Sequence, residues 1–395
     1  LPKMKVPFVQ FNNKIIPINR QLQLTEHPHW DYFVGVGNIW QEVNDVNYSR
    51  ISMPFALVEK NQNCVHNGVL SFLVDEQGES SQFYYQISSE TCLYYKVDMW
   101  GKGQVDYLAT KDKTPDNQIA QLRHPEIVIE QYKKESQERI FQQPIENLIT
   151  QNIKIQLSKL ALGDKIKSTD MSSFGVIYNG KHYTSKCQTR YGDYPFCKQL
   201  VLPSYSTAKS IFAGISMLYL AKDYPSIFNE KVSDWVKECQ GDNWQEVTFG
   251  HLLNMTTGNY HSTGHSSDEA AEHSQQFFKA ITHQDKVHYS CQQFPRKSTP
   301  GSTFVYHTSD TYLLGSALNS FLKYQLFYSA KANKNKKIDL FDIIFKQNIF
   351  PKLNLSPIAY STRKTMDNLQ QSFTGYGLFF TPDDIAKLSQ FLMNE

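Results

Sequence analysis

No stretch of about eighteen apolar residues occurs in the 395-residue chain, so no transmembrane helix is expected. Charge of one sign is also missing. The 40 basic residues face 38 acidic ones, for a net charge of +2, and no Lys/Arg run stands out. A nucleic-acid partner or a basic membrane patch is therefore not expected. None of the six cysteines forms a Cys-x-x-Cys pair, which argues against zinc-ribbon chemistry. No Gly-x-Ser-x-Gly is present, so the nucleophile elbow of α/β-hydrolases does not compete. No internal repeat is visible.

What remains is a globular composition, 40% apolar and 20% charged, long enough for one to three domains. Aromatics are plentiful, with 23 Tyr and 25 Phe, which suits a strand-rich protein. The chain opens on Leu1. A removed signal peptide, a trimmed start or a cleaved precursor would each account for this. With the even cysteine count it suggests an oxidising compartment, periplasmic or secreted. Cys187 and Cys197 flank a turn-like loop and are the favoured disulfide partners, with buried free thiols as the alternative.

Residues 1–28 read as irregular. From about 29 to 110, short Val/Tyr/Phe-rich runs ("GVLSFLV", "QFYYQI", "CLYYKVDMW") predict antiparallel strands, with a hairpin loop at 75–80 and a polar terminator at 110–118. The segment 125–162 has helical composition broken at Pro144. "FGVIYNGKHYTS" (174–185) predicts a hairpin turning at Asn179-Gly180. Two late segments, "DLFDIIFKQNIFPKL" and "TPDDIAKLSQFLMN", predict helices, the second capped by Thr381.

In "LPSYSTAKSIFAGISMLYLAK" (202–222) the apolar positions recur at helical spacing and Pro203 stands just before them, so a helix starts near residues 204–206. Ser206 and Lys209 then share one side of its first turn. A serine hydroxyl is a weak nucleophile that needs a base within hydrogen-bond reach, and an amine one turn along can be that base. Two further Ser-x-x-Lys matches, Ser320/Lys323 and Ser361/Lys364, lie inside an apolar helix and in a polar loop. "TPGSTFVYHTSDTYLLG" (299–315) puts Tyr306 after a short extended piece and before a helix. "EVTFGHLLNMTTG" (246–258) predicts a short helix closed by a turn.

Taken in order, "PSYSTAKSI", "VTFGHLLNMTTG", "PGSTFVYHTSDTYLLG" and "TGYGLFFTPDDIAKLSQFL" resemble the serine β-lactamase-related superfamily over roughly residues 140–395. The likeness is to its class C branch, with D-alanyl-D-alanine carboxypeptidases and hydrolases akin to 6-aminohexanoate-dimer hydrolase. The resemblance implies an α+β fold of the β-lactamase/transpeptidase type: an antiparallel sheet flanked by helices, with a helical subdomain. To this the chain adds an N-terminal β-rich domain at 1–135, with the hydrolase domain at 136–395. It implies that Ser206 is the acylated nucleophile, Lys209 its proton acceptor or electrostatic partner, and Tyr306 the general base. Thr308 occupies the substrate-binding position where β-lactamases carry Asn, a departure that weakens the case for β-lactam turnover.

The family's third box, Lys/His-Ser/Thr-Gly on a late strand, has no clear copy. "KSTPG" (297–301) and "HSTGH" (261–265) fall in loops, and the expectation is that this strand lies in a second chain, was removed, or is absent. "HSTGHSSDEAAEH" gathers His261, His265, Asp268, Glu269, Glu272 and His273. A metal site needs three or four converging ligands. The favoured reading is a polar insertion over the site mouth, with no metal and no cofactor. The expected activity is that of a serine hydrolase working through an acyl-enzyme on an ester or amide, with a small-molecule or peptide substrate. The alternatives are a D-amino-acid peptidase, or an inactive binding protein of the same fold.

Overall fold

The computed structural model describes residues 1–90, 92, 98–105, 124–151, 171–328 and 338–393. The predicted terminator at 110–118 and the end of the 125–162 segment lie outside them. An eight-stranded antiparallel sheet runs in the order Phe8–Phe11, Lys14–Pro17, Gly37–Trp40, Tyr48–Glu59, Val65–Asp75, Phe83–Glu90, Trp100–Gly103, with Trp30–Val34 paired to the far half of Tyr48–Glu59. The irregular start expected for residues 1–28 is thus corrected. Phe8–Phe11 and Lys14–Pro17 form a hairpin, turning at Asn12, whose φ of 53° is the left-handed value that asparagine tolerates.

Strand Tyr48–Glu59 is buried through most of its length because both of its faces are covered. Ile51, Met53, Phe55 and Leu57 point into one apolar cluster with Ile15, Tyr32 and Ile87. Ala56 and Val58 point the other way, and with Phe33 and Val65 they meet Val201, Ile358 and Phe379. That second cluster is where the sheet packs on the helical body. Burial at about 25 cal/mol per Å² makes such a double-sided strand the sheet's anchor.

The helical body has its own large core. At its centre lies helix Thr308–Tyr328, with every residue from Thr308 to Leu318 buried. A helix that is covered all round belongs inside a packed bundle. Around it sit Phe249–Leu253, Glu272–Lys279, His283–Gln292, the π-helical segment Phe341–Ile349 and Pro382–Met393. Thr381 caps the last of these as expected, accepting from Asp384 N–H, while the buried Asp384 carboxylate takes bonds from Ser356 and Thr381. The predicted hairpin at 174–185 forms from Gly175–Tyr178 and Lys181–Thr184, with Asn179 and Gly180 both at positive φ. In 125–162 the helix is shorter than its composition suggested, ending at Gln137; Gln142–Pro144 then pairs as a strand with Lys181–Thr184.

All six cysteines pair, as Cys64–Cys92, Cys187–Cys197 and Cys239–Cys291. Among the described residues no helix is long and apolar enough to cross a membrane.

Candidate active site

The segment leading to Ser206 is held from both sides before it reaches the helix. Asn67 clamps Val201, accepting from its N–H at 2.9 Å and donating to its carbonyl at 2.9 Å. Leu202 and Pro203 pair with Phe380 and Phe379. Ser204 continues the pairing: its N–H donates to Leu378 O at 2.9 Å, and its hydroxyl accepts from Leu378 N–H at 3.1 Å. Tyr205 then turns through a φ of 42°, a conformation that costs a non-glycine residue on the order of 1–3 kcal/mol. The turn sets Ser206 on the surface at the mouth of the helix. The helix begins at residue 207, passes through the π-helical segment Lys209–Gly214 and continues as Ile215–Ala221. Wide turns of this kind are frequent at functional sites.

Three polar groups converge here. Lys209 Nζ lies 3.1 Å from Ser206 Oγ, and the Tyr306 hydroxyl donates to the same oxygen. Lys209 Nζ also stands 4.8 Å from the centre of the Tyr306 ring. Ser206 is exposed, while Lys209 is 7% exposed. The other two Ser-x-x-Lys matches are spent elsewhere. Ser320 sits inside helix Thr308–Tyr328, and the Ser361 hydroxyl accepts from Leu22 N–H while Lys364 pairs with Asp339.

Lys209 makes two further bonds, to Thr308 Oγ1 at 2.8 Å and to the Gly375 carbonyl at 3.2 Å. Thr308, expected at a substrate-binding position, is buried and its hydroxyl is engaged with Lys209 and Glu269. Gly375 is glycine because of proximity. A Cβ there would lie 2.7 Å from both Thr308 Cγ2 and Thr311 Oγ1. The neighbouring Thr374 hydroxyl donates to Thr311 O at 2.6 Å, which seats this segment against the central helix.

In the polar insertion, Asp268 and Glu269 are occupied by protein groups. Asp268 accepts from His261 N–H at 2.7 Å and Ser262 N–H at 2.9 Å, and lies 3.2 Å from His307 Nε2. Glu269 accepts from the Thr308 N–H at 3.0 Å and from the Thr308 hydroxyl. His307 is stacked on Phe294 and boxed between Asp268 and Asp310. Burial alone would disfavour its charged form, but the two acids outweigh it and hold the imidazole above its usual value. Burial likewise raises the Asp310 carboxyl, against the pull of His307 and Lys209. Sequence reasoning treated Glu269 only as one ligand of a candidate metal cluster. The available signal was the polar hydroxyl at 308, which needs partners once buried. "KSTPG" and "HSTGH" both lie outside strands, as expected.

A strained turn presenting a serine, with an amine one turn on and a phenol from before the central helix, is the group set that nucleophilic acyl transfer requires. With the mixed sheet-and-helix architecture it defines a fold of the β-lactamase/transpeptidase type. The β-lactamase family model matches residues 173–391, more than half of the chain, and the chain belongs to that family. Among solved structures, a protein from Bacillus anthracis assigned as a 6-aminohexanoate-dimer hydrolase is 17% identical, with a TM-score of 0.42 over 57% of this chain and 55% of that one. A class C β-lactamase in complex with cefoxitin is 17% identical, with a TM-score of 0.40 over 66% and 67%. D-alanine carboxypeptidase AmpC from Burkholderia cenocepacia is 14% identical, with a TM-score of 0.40 over 62% and 63%. The chain thus spans little more than half the length of the first of these. No curated protein matches it in sequence.

Proposed function

We propose that this chain is a serine hydrolase that forms an acyl-enzyme at Ser206 from an ester or amide substrate. The convergence of Lys209 Nζ and Tyr306 OH on the exposed Ser206 Oγ carries this reading. The hydroxyl oxygen bonds to the substrate carbonyl carbon and its proton passes to the neutral amine of Lys209 or to a Tyr306 phenolate. The negative charge moves onto the carbonyl oxygen. The Ser206 N–H, which has no backbone acceptor among the described residues, is the donor this reading assigns to that oxygen. Collapse breaks the bond to the leaving alcohol or amine, which takes up the proton. Water, deprotonated by a Tyr306 phenolate, then bonds to the acyl carbon, and the bond to Ser206 Oγ breaks, releasing the acid as the serine oxygen takes the proton back. Proton transfer of this kind contributes roughly 10²–10⁴-fold.

Thr308 in the binding position favours an ester or simple amide over a β-lactam, because a buried hydroxyl held by two protein groups does not reach out to a substrate side chain. Three disulfides support a periplasmic or secreted location. The test is covalent labelling with a fluorophosphonate, read by intact-protein mass spectrometry. Wild type should gain one adduct, on the peptide containing Ser206, and Ser206→Ala should gain none. A correctly folded wild type that gains no adduct refutes the reading in favour of a binding protein of this fold.

A further inference from the structure

Neutral lysine has two N–H bonds and one lone pair, so its usefulness as a base depends on where that lone pair points. We infer that Glu269 is a positioning residue that aims the lone pair of Lys209 at Ser206, acting through Thr308. This rests on Ser206 being the nucleophile.

The Thr308 hydroxyl has a single proton. It is directed at Glu269, whose other oxygen accepts the Thr308 N–H at 3.0 Å. An ionised carboxylate only accepts, so the direction of that bond is fixed. Thr308 Oγ1 therefore faces Lys209 Nζ, 2.8 Å away, as an acceptor. The Gly375 carbonyl, 3.2 Å from Nζ, is an acceptor by its nature. Two of the three positions around Nζ must then be N–H bonds. The third faces Ser206 Oγ at 3.1 Å. In the ammonium form it is an N–H; in the neutral form it is the lone pair. The neutral amine has no other rotamer that satisfies both acceptors. A proton leaving Ser206 thus meets the lone pair directly.

Removing the carboxylate frees the Thr308 proton. Thr308 can then donate to Lys209, which occupies the lone pair and turns an N–H toward Ser206. The heavy atoms need not move for the base to be blocked. Glu269 reaches Ser206 only through this polarity, so its effect must vanish when the Thr308 hydroxyl is gone.

The experiment measures the second-order rate of fluorophosphonate labelling from pH 6 to pH 10. In that reaction Ser206 Oγ bonds to phosphorus, fluoride leaves with its electron pair, and the serine proton moves to Lys209. Glu269→Gln is expected to lower the alkaline plateau on the order of 10²-fold. In a Thr308→Val background, Glu269→Gln should add no further loss, the non-additivity expected of two groups acting in series. Circular dichroism melts identify any variant that fails to fold; should Glu269→Gln do so, Glu269→Ala and Glu269→Asp replace it in the same cycle. A Glu269→Gln enzyme that only shifts its pH limb with the plateau intact overturns the inference. So does a full second loss in the Thr308→Val background. Neither result touches the assignment of Ser206, which stands or falls on labelling of wild type against Ser206→Ala.

Discussion

Lys286 is wholly buried in helix His283–Gln292 and has no acidic partner within ion-pairing distance among the described residues. Its Nζ donates to Phe277 O at 3.0 Å and Tyr376 OH at 3.4 Å, and lies 4.7 Å from the ring centres of Phe277 and Phe373. Burial pulls its pKa down to about 7. The unfolded chain, with an ordinary lysine, binds the extra proton up to about pH 10. Between pH 7 and pH 10 the unfolded state therefore holds more protons than the folded one, and stability rises with pH across that window. Linkage over the two steps from pH 7 to pH 9 gives about 2 kcal/mol. The facing rings favour the cation and pull back by roughly 0.5–2 kcal/mol, so a gain on the order of 1 kcal/mol is expected. Lys286→Met fills the same space without a titrating group. Urea unfolding at pH 7 and pH 9 should show the wild type gaining stability relative to Lys286→Met by that amount. Other titrating groups cancel in the comparison. An identical pH response in the two proteins would refute the reasoning and mean that the lysine stays protonated in the folded state across that range.

Two other outcomes follow from the packing. Gly375→Ala places a Cβ 2.7 Å from Thr308 and Thr311, so the segment must shift; a stability loss of roughly 1–3 kcal/mol is expected, with labelling of Ser206 at least tenfold slower because the Gly375 carbonyl leaves Lys209. Replacing both members of Cys239–Cys291 with serine opens a loop of 52 residues, which chain entropy values at about 4 kcal/mol, and urea midpoints should fall accordingly while the fluorophosphonate adduct at low denaturant persists.

Much of this architecture is carried by local pattern. The Ser206–Lys209 spacing, the Asn179-Gly180 turn and the Thr381 cap each depend on neighbours within four residues, where helical and turn geometry act directly. The Phe8–Phe11 hairpin was hidden because its two strands are only four residues long and are held by pairing with each other and, through Lys14–Pro17, with Gly37–Trp40. Glu269 and Thr308 meet across 39 positions, and Asn67 and Val201 across 134. No periodicity records such contacts. The insertion around Glu269 was legible as polar and loop-like, but which partner each carboxylate takes is decided by the folded helices beneath it.

The three cystine bridges lie in separate parts of the molecule: one beside the long sheet strands, one in the loop feeding the Ser206 segment, one within the helical core. A chain produced where thiols stay reduced would carry six sulfhydryls in place of these braces, and an inert preparation from such a host would report on its assembly history rather than on its chemistry.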